Sequence, residues 1–81
     1  MAFTYVYILR SVKHPDRHYT GVTSDLKSRL AKHNRGEVGH TAKFMPWRIE
    51  TAVAFLSRDK AAAFERCLKS GSGRAFARRH F

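Results

Sequence analysis

At 81 residues the chain can bury one modest core and has no room for a second domain, so its function is expected to rest on a single scaffold spanning residues 1–81. Sixteen lysines and arginines against six aspartates and glutamates give a formal net charge of +10, which points to an anionic partner, nucleic acid before any membrane surface. No apolar run approaches the ~20 residues of a spanning helix, no signal-peptide pattern opens the chain, and a lone cysteine excludes disulfides and a cysteine zinc cage. The expectation is a soluble, cytoplasmic protein without a membrane partner.

From Phe3 to Arg10 the residues are β-branched and aromatic, and both alternating sets are apolar, as in a central strand covered on both faces. "KHPDRH" carries Pro15 and Asp16, a turn signal, and "HYTGVT" is a second strand whose Gly21 suggests close backbone approach. Thr23, Ser24 or Asp25 can cap a helix that runs to Asn34 or Arg35, with Gly36 as its stop. Residues 36–46 are polar and basic without periodicity and read as a loop. "WRIETAVAFL" supplies a third strand, and Ser57 or Asp59 starts a second helix bearing Ala61, Phe64 and Leu68. Cys67 reads as a small apolar filler of that helix. "SGSG" ends it before a short basic helix from Arg74 to Phe81. This order suggests a small antiparallel or mixed sheet with helices against it.

Several polar residues fall where apolar ones are expected. At 100° per residue, Arg29 and His33 lie within about 60° on either side of the Leu26/Leu30 stripe, so both share the core-facing side of the first helix. Taken singly, Arg29 can be a stem lying over the core and His33 a histidine with one buried hydrogen bond. Among the acids, Asp16 suits the turn, Asp25 and Asp59 suit helix starts, Glu37 a loop and Glu50 a strand. Glu65 remains as the one acid inside a helix, where it is either a hard-metal ligand or an i, i+4 partner of Lys69. His14 and His18 are four apart but sit in a turn without a third ligand at helical spacing. Lys43 and Phe44, with His40 and Arg48, form a basic loop with aromatic interleaving, suited to phosphate contact and base stacking. "SGSGR" can turn backbone N–H groups toward phosphate.

Taken in order, Tyr7, Tyr19, Gly21, Arg29, His33 and Glu65 resemble the GIY-YIG nuclease superfamily over essentially the whole chain. "YVY" (Tyr5 to Tyr7) is similar to its first motif and "YTG" (Tyr19 to Gly21) to its second. "LKSRLAKHN" is similar to its arginine-bearing helix, and "FERCLKSGSGRAF" to the closing segment of small stand-alone bacterial members related to the amino-terminal nuclease domain of excinuclease C. The resemblance implies an α+β fold with a three-stranded antiparallel sheet flanked by helices, and phosphodiester hydrolysis in DNA with one divalent cation, Mg2+ or Mn2+. It implies that Glu65 holds the metal, that Arg29 stabilises charge at phosphorus, and that Tyr19, with Tyr7 as second candidate, deprotonates the attacking water. His33 would orient a tyrosine or that water. Lys43, Arg48, Lys69 and Arg74 are the expected nucleic-acid contacts, with RNA as the alternative polymer and no small-molecule cofactor. Repair or recombination is the expected setting.

The chain departs from the pattern at Tyr5, where the first motif has glycine, at Thr20, where the second has isoleucine, and at Val22, where excinuclease-type members carry lysine. The last departure removes a cation beside a candidate base. Tyrosine ionises near pH ~10, leaving about one in a thousand ionised at neutral pH, so either nearby cations such as Arg29 and Lys43 favour phenolate or the metal lowers the pKa of the water instead. A scaffold that binds nucleic acid with weak or no cleavage is the competing reading.

Overall fold

Strands β1 (Thr4–Ser11), β2 (His18–Thr23) and β3 (Trp47–Phe55) form one antiparallel sheet in the order β2-β1-β3. The computed structural model describes residues 2–81. Helices α1 (Leu26–Asn34), α2 (Arg58–Lys69) and α3 (Gly71–His80) complete an α+β fold with a three-stranded sheet.

The central place of β1 follows from its two apolar faces. Val6 and Ile8 pack with Ala61 and Leu68 of α2, while Tyr7 and Leu9 pack with Trp47 and with Leu26 and Leu30 of α1. Helices α1 and α2 therefore cover opposite faces, and the molecule has two small cores sharing one strand. Burying each large apolar side chain contributes roughly 1.5–3 kcal/mol, so β1 ties both cores to the sheet.

Strand β3 serves both cores through a bulge. The register steps from Ile8 opposite Thr51 to Leu9 opposite Ile49, leaving Glu50 as an extra residue. Trp47 and Ile49 consequently face α1, whereas Phe55 faces α2. The Glu50 carboxylate reaches Arg10 at 3.6 Å and His18 at 3.4 Å.

Asp25 caps α1 by accepting from the Ser28 N–H at 3.0 Å, a contact worth about 1 kcal/mol, and Ser57 caps α2 through the Lys60 N–H at 3.2 Å. Gly36 stops α1 with φ of 74°, a left-handed conformation that glycine adopts without strain, and its N–H donates to the His33 carbonyl. The segment from 36 to 46 is a loop holding one 3-10 turn, Ala42–Phe44. Asn34 ties its far end back to α1, accepting from the Trp47 N–H and donating to the Trp47 carbonyl at 3.0 Å.

Three expectations are corrected. Cys67 is exposed, because Ala61 and Leu68 already fill the buried stripe of α2. The last helix begins at Gly71 rather than Arg74, since Ser70 ends α2 and also caps α3, accepting from the Gly73 N–H at 3.1 Å. Gly73 is buried in that joint, where a Cβ would overlap the carbonyl oxygen of Cys67. Phe44 is not a free stacking surface: it packs beside the α1 core, His14 meets it edge-on at 5.4 Å and the Arg17 guanidinium lies 4.8 Å from its centroid. No helix among the described residues is long and apolar enough to cross a membrane.

Candidate active site

The site lies at β2, an open edge of the sheet, where residues from opposite faces meet. Tyr7 starts on the central strand, and its side chain crosses the neighbouring strand over Gly21. A Cβ at Gly21 would overlap the Tyr7 hydroxyl and ring, so this glycine serves a side chain passing over it. The Tyr7 hydroxyl thereby reaches α1, where it shares a 3.1 Å hydrogen bond with Nε2 of His33.

His33 is fully buried, and its Nδ1 shares a 2.8 Å hydrogen bond with the Thr41 hydroxyl. Burial, with a smaller contribution from Arg29, holds the imidazole below its ordinary pKa and keeps it neutral. A neutral imidazole has one N–H, so the nitrogen facing Thr41 and the nitrogen facing Tyr7 take opposite roles, donor and acceptor. Thr41 is fixed in turn by the Trp47 indole N–H, which donates to its carbonyl at 2.8 Å. The chain Trp47–Thr41–His33–Tyr7 thus anchors the tyrosine to β3 and to the loop before it.

Tyr19, on β2, closes the aromatic group, with its ring centroid 5.0 Å from that of His33 and 6.4 Å from that of Tyr7. Glu65 comes from α2 on the other face, with a side chain 16% exposed and an ion pair to Lys69 of 2.7 Å. The Lys69 ammonium also lies 5.9 Å from the centre of the Tyr19 ring. The position of Val22 leaves the strand without a lysine, and α2 brings a cation to the same tyrosine.

The electrostatics act clearly on Tyr7. Burial, helped by Tyr19 and Glu65, pushes Tyr7 up to about 12 despite the opposing Arg29 guanidinium. At Tyr7 the Arg29 guanidinium acts in the expected direction, toward phenolate, but burial outweighs it, and Lys43, exposed on the 3-10 turn, is not among the charges acting on it. About one Tyr7 in a hundred thousand is ionised at pH 7.

The raised value has a stability consequence. The fold binds the Tyr7 proton more tightly than the unfolded chain does, so the contribution is complete below pH 10 and disappears as pH rises from 10.0 to about 12. Thermal or urea unfolding should show the wild type losing on the order of 2 kcal/mol more than Tyr7→Phe across that window. Parallel pH profiles for the two proteins would remove Tyr7 as the group responsible.

Of the expected site residues, Tyr7, Tyr19, Arg29, His33, Glu65 and Lys69 converge here. Arg29 acts on both Tyr7 and His33. Arg74 lies on α3, lining a cleft together with Tyr19 and Lys69. Lys43 and Arg48 lie elsewhere: Arg48 pairs across the sheet with Arg10, three residues along β1 from Tyr7. His14 and His18 have separate surroundings, against Phe44 and Glu50 respectively. Thr41 and Trp47 escape sequence reasoning, since a loop threonine and a tryptophan at a strand start carry no local sign of a histidine between them.

Among the described residues no three histidine, cysteine or acidic side chains cluster to cage a metal. The donor set suits a hard cation held by one carboxylate, because Mg2+ keeps most of its water and takes further oxygens from a phosphate substrate. Glu65, with a largely sheltered side chain and a charge that acts on Tyr7, is the residue that fits this role.

A family profile described as the GIY-YIG catalytic domain matches residues 3–78. The chain is also 40% identical over 70 residues to the protein named structure-specific endonuclease subunit slx1 from Talaromyces marneffei, an alignment covering 79% of this chain. It spans 18% of that relative's length. No solved structure gives a significant match.

Proposed function

Since this chain belongs to the GIY-YIG family, we propose that it is a divalent-metal-dependent endonuclease that hydrolyses phosphodiester bonds in DNA, acting in repair or recombination. The observation that carries this reading is the convergence at β2 of two tyrosines, an arginine, a buried neutral histidine and one carboxylate from both faces of the sheet. The relative's name puts branched DNA among the substrates to be tried.

Each residue then has a role set by its surroundings. Glu65 holds the cation, Mg2+ or Mn2+, which when bound neutralises charge on the phosphate and on the leaving oxygen. Tyr19 accepts the proton of the attacking water, with the Lys69 ammonium near its ring. Tyr7 keeps its own proton and orients that water by hydrogen bonding, itself held in place by His33 and Thr41. Arg29 directs its guanidinium at the equatorial phosphate oxygens, where charge grows in the transition state. Lys69 and Arg74 contact the strand on either side of the scissile phosphate, and Lys43 and Arg48 engage more distant phosphates.

The direct test incubates purified protein with single-stranded, duplex and branched DNA in Mg2+ or Mn2+, with EDTA as control. Metal-dependent nicking of at least one of these substrates is expected. Salt-sensitive binding without cleavage under either metal would replace the enzyme with a binding module.

A further inference from the structure

Beside the catalytic cluster, a cleft of about 680 Å³ opens between the sheet and helices α2 and α3. Its size falls within the roughly 300–1,000 Å³ of sites that enclose a small molecule, and far below what a double helix would need. Tyr19 and Lys69 are among its lining residues, so the cleft adjoins the place where the scissile phosphate is expected. Its apolar surface comes from Ile8, Leu68, Ala77 and Phe81. Phe81 is 43% exposed and is braced by a T-shaped contact with Phe76, at 5.8 Å and 89°.

Charge in the cleft is unevenly divided. Lys69, Arg74 and Arg78 form a basic wall along the helices. The lining also includes Asp16 and Glu50, from the first hairpin and from β3, with Glu50 paired to Arg10 and His18. The cations suit a phosphate, the apolar side chains a flat base, and the carboxylates exocyclic amino groups.

We propose that this cleft holds one unstacked nucleotide of the strand being cut, its phosphate against Lys69, Arg74 and Arg78 and its base stacked on Phe81. A fully paired duplex cannot present such a base without breaking a pair, whereas a flap, gap or branch presents it at little cost. The cleft therefore selects DNA with an unpaired nucleotide next to the scissile bond. This rests on the endonuclease reading of the adjoining cluster.

The test measures binding of the full chain by fluorescence anisotropy in EDTA, so that no cleavage step enters. Two branched duplexes are compared, identical except that the single unpaired nucleotide at the branch carries either its base or an abasic analogue. The base should tighten binding about tenfold, the size of effect a base stacked on an aromatic ring produces. Phe81→Ala, at an exposed ring, should remove that ratio while circular dichroism stays unchanged. Arg74→Ala with Arg78→Ala should weaken both DNAs together, as expected for phosphate contacts. Equal wild-type affinities for the two DNAs would overturn the proposal, as would a tenfold ratio that survives Phe81→Ala. If cleavage depends on Glu65 yet the base makes no difference, only this inference fails. If the base matters and no DNA is cut, the endonuclease reading fails, and the cleft stands as a nucleotide-binding site without a scissile bond beside it.

Discussion

Glu65→Gln should reduce metal-dependent DNA cleavage by roughly a thousandfold, equivalent to losing about 4 kcal/mol of transition-state stabilisation. The substitution preserves shape and removes one negative charge, and Glu65 is the one carboxylate whose charge acts on Tyr7. The cost to folding should be small, because its other contact is an i, i+4 pair with a half-exposed Lys69, worth about 0.3–0.5 kcal/mol. Single-turnover rates across a Mg2+ titration, with unfolding curves of both proteins, check this. A rate within threefold of wild type at saturating metal would remove Glu65 from the mechanism.

Arg29→Ala is expected to slow cleavage by about a hundred- to a thousandfold, the loss typical when a donor that stabilises developing charge is removed. Its guanidinium lies close enough to Tyr7 and His33 to favour phenolate in one and to disfavour imidazolium in the other. Removing it should therefore raise both pKa values as well as the barrier. Arg29→Lys should recover part of the rate, since it restores charge but not the planar fork. A merely structural arginine would give a different pattern, with a lowered melting temperature and a turnover rate near wild type in the protein that remains folded. Rates at saturating DNA, alongside an NMR titration of the His33 ring, separate the two.

Much of this site could be read from the chain because the relevant signals are local. Asp25 and Ser57 are cap residues at helix starts, and both cap as expected. Arg29 and His33 interrupt an apolar stripe, and the interruption is itself the signal, since a polar residue on a buried face costs free energy unless it has a partner. His33 finds two, Tyr7 and Thr41. Elimination left Glu65 as the one acid inside a helix, with a pair to Lys69 as its alternative role, and only the family resemblance implied a metal ligand there.

Other residues depend on contacts between distant segments, which local pattern does not encode. Thr41 lies eight residues beyond His33, across a loop with no periodicity. Phe44 looked like a stacking surface because its neighbours are basic, yet His14 and Arg17, brought back by the first hairpin, occupy it. Lys69 reads as a partner for Glu65, and it is; that it also stands near Tyr19 requires α2 to cross the sheet at one particular angle.

Period and capping were sufficient to specify the three strands, the first two helices and the central place of β1, whereas the charged groups of the site stood out as a set only through the family resemblance. Strand β3 marks where that reading ends. Trp47, Ile49, Thr51, Val53 and Phe55 alternate without a break and would share one face of a regular strand. The bulge at Glu50 divides them between two cores, because Leu9 must pair with Ile49 for Trp47 to reach Thr41 while Val6 pairs with Val53 beneath α2. A single extra residue changes the direction of every side chain beyond it, and whether it is inserted depends on the two packed faces together.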